Sequence, residues 1–130
     1  RGRSISAVDY AKAQAAMGTF RRAGLSWWEG GFDLLLTPTT AAPPPKIGEL
    51  TASKDDPVRA SRRSLPYAVF TSPFNTTGQP AITLPTGQSD GLPIGVQLVA
   101  AYGREDLLIS VGAQLEEAVN WSARRAAIHA

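Results

Sequence analysis

Apolar residues recur at helical spacing along the first thirty residues of the chain. Ser6, with Asp9 three residues later, resembles a capping box at the start of this pattern, and Gly30-Gly31 is a stop signal at its end. The pattern predicts a helix over residues 6–29 whose apolar stripe faces a core. The stripe consists of Tyr10, Ala13, Met17, Phe20, Gly24 and one of Trp27 and Trp28.

A second helical pattern lies near the end of the chain. Glu105 and Asp106 stand where the first turn of a helix favours acidic side chains. The pattern predicts a helix over residues 104–121, packed through one apolar stripe. That stripe consists of Leu107, Leu108, Val111, Leu115 and Ala118.

Two segments carry strand patterns instead. Three consecutive leucines at 34–36 predict a strand over residues 33–37 that is buried on both faces, inside a mixed sheet. Residues 81–99 predict a hairpin, with a strand of about four residues held between Pro80 and Pro85. Asp90-Gly91 is its turn signal, and after it Ile94, Val96 and Leu98 alternate with Gly95, Gln97 and Val99.

The segment between the first strand and the hairpin is rich in proline. Residues 38–57 lack periodicity, which predicts a long loop of extended, polyproline-like backbone lying across a surface. Asp55-Asp56-Pro57 then introduces a short predicted helix over residues 58–65, and Pro66 is expected to end this helix before Tyr67.

Composition narrows the class of protein. The chain has 130 residues, of which 43% are hydrophobic and 18% charged, as in a folded soluble domain. Its net charge is only +2, and its scattered arginines lack the interleaved aromatics of a nucleic-acid interface. With no cysteine, no metal-binding motif and no apolar run of membrane length, we expect a cytoplasmic protein without metal, membrane or nucleic-acid partners.

Four motifs, in order, resemble one known family. Residues 32–39 (Phe-Asp-Leu-Leu-Leu-Thr-Pro-Thr), 74–81 (Phe-Asn-Thr-Thr-Gly-Gln-Pro-Ala), 84–87 (Leu-Pro-Thr-Gly) and 91–98 (Gly-Leu-Pro-Ile-Gly-Val-Gln-Leu) resemble the C-terminal region of the amidase signature family. The resemblance implies an α/β fold in which a few strands of a mixed sheet are flanked by helices. It also implies hydrolysis of carboxylic amides, without a cofactor.

Members of this family use a serine nucleophile, a second serine in a cis peptide and a lysine base, with a Gly/Ser-rich loop that binds the oxyanion. The chain has no such loop, and Lys12, Lys46 and Lys54 stand in none of the family's catalytic contexts. We therefore expect no catalytic residue in this chain. We interpret residues 1–130 as a C-terminal amidase fragment that is inactive alone, with the N-terminal amidase part as its partner.

The resemblance also implies which residues line the substrate cleft: Tyr67, Ala68, Thr71, Phe74 and Asn75. In family members that use glutamine, an aspartate occupies the position of Ala68, where a carboxylate can pair with the substrate ammonium. Alanine there favours a less polar amide. For Asn75 two roles stay open: side-chain bonds that fix the turn before the hairpin, or a place in the cleft.

Two other functions remain as alternatives. The chain is a non-catalytic interaction module that binds a partner through residues 34–36 and the first helix, and a homodimer is a further, separate expectation. Alternatively it is a small hydrolase that uses Ser61, Ser64 or Ser72 with His129, although no Gly-x-Ser-x-Gly motif supports this.

Overall fold

A three-stranded antiparallel sheet is the centre of the protein in the computed structural model, which describes residues 2–124. The strands are β1 (Leu34–Pro38), β2 (Ala81–Ser89) and β3 (Leu92–Ala100), in the order β1-β3-β2. Every strand pair within residues 2–124 is antiparallel, so the mixed sheet expected from the resemblance is not formed by this part of the chain alone.

The hairpin formed by β2 and β3 turns at the predicted dipeptide. Asp90 and Gly91 have φ values of 52° and 77°, the positive angles that a two-residue hairpin turn of type I′ requires. The predicted four-residue first strand is wrong, because β2 continues through Pro85 to Ser89. A β-bulge explains this: Pro85 and Thr86 together lie opposite Gly95, so the ladder does not require the N–H that proline lacks.

One face of the sheet packs against α4 (Glu105–Val119). Leu108, only 4% exposed, joins a core cluster with Leu84, Leu98 and Ala100. The helix ends at Asn120, whose left-handed conformation lets its N–H bond the carbonyl of Glu116. The partly buried side chains around this cluster are Leu34, Ile82, Val96, Val111, Leu115 and Trp121. Leu108, Val111 and Leu115 of the predicted apolar stripe therefore face the sheet, whereas Ala118 is exposed.

The other face of the sheet carries Gln97 and Val99, as the alternation along β3 predicted. It lies towards α1 (Ala7–Ser26) and α3 (Ser72–Thr77), a short helix that the sequence pattern did not indicate. Ser6 caps α1 as expected, because its Oγ accepts a hydrogen bond from the N–H of Asp9 at 3.1 Å. After α1 a 3₁₀ helix occupies Trp27–Gly30.

Two sets of apolar residues lie outside this core, contrary to expectation. The stripe of α1 is largely exposed, with Tyr10 at 62% and Met17 and Phe20 at 47%. β1 is an edge strand whose Leu36 is 63% exposed, whereas burial on both faces was predicted. The physical reason is the same in both cases: residues 2–124 provide no second layer to cover these side chains.

The proline-rich segment follows β1 as bends and turns without a regular element until α2 (Arg59–Ser64). Ion pairs fasten it to that helix, Arg62 to Asp56 at 2.6 Å and Arg63 to Glu49 at 3.4 Å. A break in helical structure was expected at Pro66. Instead Pro66 lies in the first turn of a 3₁₀ helix over Leu65–Ala68, which follows α2 directly.

Helices on both faces of a sheet confirm the α/β class. Among residues 2–124, none of the helices has the length and apolar character needed to cross a membrane.

Candidate functional site

The five predicted cleft residues lie on one continuous segment. Tyr67 and Ala68 belong to the 3₁₀ helix over Leu65–Ala68, Thr71 joins it to α3, and α3 carries Phe74 and Asn75. The structure thus brings all five together, in the segment that enters the hairpin. We call residues 65–77 the cleft segment.

Local hydrogen bonds define the shape of the cleft segment. Thr71 donates its Oγ1–H to the carbonyl of Ala68 at 3.2 Å, and the N–H of Phe74 bonds the carbonyl of Thr71. Gly78 ends α3 with φ of 80°, and its N–H bonds the carbonyl of Phe74 at 2.8 Å. Two turns of helix therefore follow each other with only a short joint between them.

One of the two interpretations of Asn75 expected its side chain to fix the turn before the hairpin. The structure does not show such bonds among residues 2–124. The side chain of Asn75 is exposed on α3, and within the described residues it makes no hydrogen bond. The turn before β2 is instead held by buried neighbours: Thr77 donates its Oγ1–H to Oε1 of Gln79 at 2.7 Å.

A polar bridge from β3 holds the cleft segment on the sheet. Gln97 is only 3% exposed, and its Nε2 donates to the carbonyl of Phe70 at 2.9 Å and to Oγ1 of Thr37 at 3.1 Å. Alternation along β3 predicted the face on which Gln97 lies. The sequence did not show its two partners, which are 27 and 60 residues away.

An apolar groove borders the cleft segment where α1 meets α3. Its volume is about 300 Å³, and Phe74 forms part of its wall. Gly24 of α1 lies close against Thr77 of α3, since a Cβ at Gly24 would be 2.9 Å from Cγ2 of Thr77. The indole Nε1 of Trp28 is buried and has no hydrogen-bond partner within the described part of the chain. The other lining residues are Phe20, Ala23, Trp27, Leu35, Pro73 and Gln79.

Aromatic contacts stabilise the outer end of this groove. Trp27 stacks on Phe32 with ring centroids 4.4 Å apart and an angle of 11° between the rings. Trp27 also meets Trp28 edge to face at 4.8 Å. Both tryptophans line the groove, whereas only one of the two was predicted to lie on the apolar stripe of the helix.

The charged groups of residues 2–124 whose pKa values are shifted form one pair at the start of α4. The bond from Arg104 holds the pKa of Asp106 below its usual value, and Asp106 in turn raises the pKa of Arg104, at the exposed start of α4. Residues 2–124 contain no group of three or more His, Asp or Glu side chains that could hold a metal ion.

Within residues 2–124, none of the three candidate serine nucleophiles forms a hydrogen bond with another side chain. Ser61 and Ser64 lie on α2, where the Oγ of Ser64 donates to the carbonyl of Ser61 at 3.0 Å. Ser72 is exposed at the start of α3. The proposed base, His129, lies outside the described residues.

Comparison with known proteins agrees with this architecture. A sequence model of the family described as Amidase matches residues 2–109. The 6-aminohexanoate-cyclic-dimer hydrolase of Paenarthrobacter ureafaciens is 55% identical over 105 residues, covering 76% of this chain and 21% of that protein. A glutamyl-tRNA(Gln) amidotransferase subunit of Azotobacter vinelandii is 40% identical over 118 residues, covering 88% of this chain and 22% of that protein.

A solved structure shows the same fold over most of the chain. A 6-aminohexanoate cyclic dimer hydrolase complexed with substrate superposes with a TM-score of 0.87 at 44% identity, covering 94% of this chain and 27% of that one. The chain thus spans about a fifth to a quarter of the length of the relatives it matches. The family match over residues 2–109 and these similarities show that the chain belongs to the amidase family.

Proposed function

We propose that this chain contributes the sheet scaffold and one flank of the substrate cleft to an amidase that hydrolyses carboxylic amides to an acid and ammonia or an amine. The observation that carries the proposal is the cleft segment itself. It holds Ala68 and Thr71 half-buried on the sheet, at the positions that the family resemblance assigns to the substrate.

The substrate that this flank favours is an uncharged amide. Ala68 presents a methyl group where a carboxylate would be needed to pair with an ammonium, and burying an unpaired charge is costly. A relative that shares 55% of its residues over the matched segment is named for hydrolysis of a cyclic dimer of 6-aminohexanoate. We propose a neutral, largely aliphatic amide of this kind.

The catalytic serines and lysine belong, in this proposal, to the N-terminal amidase part, which is the chain's main partner. The exposed apolar stripe of α1 supports the proposal that such a partner covers it. The stripe runs along a helix of 20 residues, which is about 30 Å long. Tyr10, Met17 and Phe20 extend the apolar surface of the groove along this helix, which is more than a small amide would cover. We propose the cytoplasm as its location, since the chain has no cysteine.

An exchange of segments tests this function. In the hydrolase of Paenarthrobacter ureafaciens, the segment that matches this chain is replaced by the chain's own residues. We expect the chimera to hydrolyse the cyclic dimer within about tenfold of the parent's kcat/KM, a loss that corresponds to roughly 1.4 kcal/mol.

A substitution in the same chimera tests the flank. Ala68→Asp should lower kcat/KM by about tenfold or more, because it places a buried carboxylate against a neutral substrate. Ala113→Asp, at an exposed site on α4, is the matched control and should change it little. A folded chimera without activity, or equal effects of the two substitutions, would refute the proposed role.

A second function is favoured by one observation. The exposed apolar residues of α1 and Leu36 also suit a non-catalytic module that binds another protein or forms a homodimer. This alternative predicts that Phe20→Asp and Leu36→Asp abolish a complex or a dimer detected by light scattering, while the chimera carrying them remains active.

A further inference from the structure

Gln97 of β3 forms a long-range hydrogen bond to the cleft segment. Its side chain is 3% exposed in the centre of β3. Both hydrogen-bond acceptors that its Nε2 reaches belong to other elements, the carbonyl of Phe70 in the cleft segment and Oγ1 of Thr37 in β1. One side-chain amide thus connects the middle strand, the edge strand and the cleft segment.

The partners determine which way this amide faces. The hydroxyl of Thr37 donates to the carbonyl of Pro38 at 3.0 Å, so its Oγ1 is left to accept from Gln97. The carbonyl of Phe70 can only accept. Both neighbours therefore accept from the NH₂ group of Gln97 in this arrangement, and a carboxylate in its place would leave the carbonyl of Phe70 without its donor.

The bond to Phe70 acts on the residues proposed to meet the substrate. The carbonyl of Phe70 lies between Ala68 and Thr71, and Thr71 is itself bonded to the carbonyl of Ala68 at 3.2 Å. We infer that Gln97 is a positioning residue, which holds the cleft segment at a fixed height on the sheet and so orients Ala68 and Thr71. That these residues face an amide substrate rests on the proposed function; the anchoring does not.

The test is hydrogen exchange of the 130-residue chain with substitutions at Gln97. Gln97→Glu should lower the protection of amides in residues 67–77 by about tenfold or more at pH 7, because the buried carboxylate cannot donate to the carbonyl of Phe70 and repels it. Amides of β2 and β3 opposite α4 should change much less. Gln88→Glu is the matched control on the same hairpin, at an exposed site, and should leave both regions unchanged.

A pH profile separates positioning from a general loss of packing. Burial and the neighbouring carbonyl of Phe70 should raise the pKa of the carboxyl introduced by Gln97→Glu above its ordinary value of about 4.3, so acidification restores a donor. Relative to the unsubstituted chain, the protection of residues 67–77 should recover as the pH falls from 7 towards 5. Gln97→Met, which has no donor at any pH, should lose protection without recovering it.

The result that overturns the inference is equal loss of protection across the whole hairpin, or no recovery on acidification. If neither variant folds, the unsubstituted chain decides: the NH₂ protons of Gln97 should exchange at least tenfold more slowly than those of exposed Gln88. Similar rates would overturn it. None of these readouts uses amide hydrolysis, so their failure is distinct from failure of the proposed function.

Discussion

Gly24 of α1 lies against Thr77 of α3, and the contact leaves no room for a side chain. A Cβ at this position would be 2.9 Å from Cγ2 of Thr77, a distance that Cβ atoms do not reach without movement of the neighbour. Thr77 is 2% exposed and its Oγ1 is bonded to Gln79, so it cannot move freely. The wall of the apolar groove depends on this contact.

We predict that Gly24→Ala destabilises the chain by roughly 1–3 kcal/mol, the usual cost of overpacking, despite the better helix propensity of alanine. Urea unfolding measures the change. Gly18→Ala, on the same helix, is the control, since its Cβ would meet only Arg22 at 3.5 Å; it should stabilise by up to about 1 kcal/mol.

A second substitution tests the cause of this effect. Thr77→Ser removes Cγ2 and keeps the hydroxyl that bonds Gln79. Combined with Gly24→Ala, it should recover most of the lost stability. Additive effects of the two substitutions would show that the clash is not the reason.

At the same scale, the sequence predicted some residue roles and not others. The Ser6 cap and the Asp90-Gly91 turn depend on neighbours in the chain, so local sequence was sufficient. Gln97 and Thr77 depend on where distant elements meet. The strand alternation indicated the face on which Gln97 lies, but no local pattern identifies Phe70 as its partner.

Among the α-helices, α4 is the one whose side chains pack in the core cluster of the described residues. Leu108 is 4% exposed, whereas Ile109, the next residue, is 67% exposed. We predict that Leu108→Ala costs about 2–5 kcal/mol of unfolding free energy, from lost burial and the cavity left behind. Ile109→Ala should change it by less than about 0.5 kcal/mol.

Thermal and urea unfolding of both variants check this prediction. Similar losses for the two substitutions would contradict the orientation of α4 on the sheet. A small loss for Leu108→Ala alone would mean that the neighbouring leucines collapse into the cavity.

The stability of the folded chain should depend on pH through the ion pair of Arg104 and Asp106 at the start of α4. The hydrogen bond from Arg104 keeps the pKa of Asp106 low in the folded chain, below the value of about 3.9 expected when unfolded. The pair therefore stabilises the fold above that value, and its contribution is lost as the pH falls through the lower, folded pKa.

An NMR titration of the Asp106 carboxyl measures this directly, and Arg104→Gln should move its pKa back up towards about 3.9. The stability difference between the chain and Asp106→Asn should be present at pH 7 and vanish towards pH 2. It should shrink in high salt, because both side chains are exposed. A pKa that does not respond to Arg104→Gln would contradict the assignment.

Element boundaries followed the sequence where periodicity or turn signals were strong. The two long helices and the hairpin turn are close to their predicted places. β2 is longer than predicted because a bulge accommodates Pro85, and no single residue type indicates a bulge. α3 was missed because a six-residue helix has too few turns to show a period.

At the scale of the whole molecule, the burial pattern is uneven. α4 and the sheet share a compact cluster, while most of the apolar stripe of α1 and Leu36 of β1 remain exposed. The sequence predicted that these apolar residues lie in a helix and in a strand, and they do. It predicted them to be buried, and burial depends on a covering layer that a local pattern does not specify.

The chain spans about a fifth to a quarter of the length of its amidase relatives. We propose that the nucleophile lies in the part that the chain does not span. The location of the nucleophile distinguishes two functions. It separates a cleft flank from a small hydrolase that would use Ser61, Ser64 or Ser72.

The most direct test treats the purified 130-residue chain with a serine-reactive fluorophosphonate and measures its intact mass. An unmodified mass is expected, because none of the three serines is activated by a base within the described residues. A stoichiometric adduct on one serine would place a working nucleophile inside the chain and contradict the account.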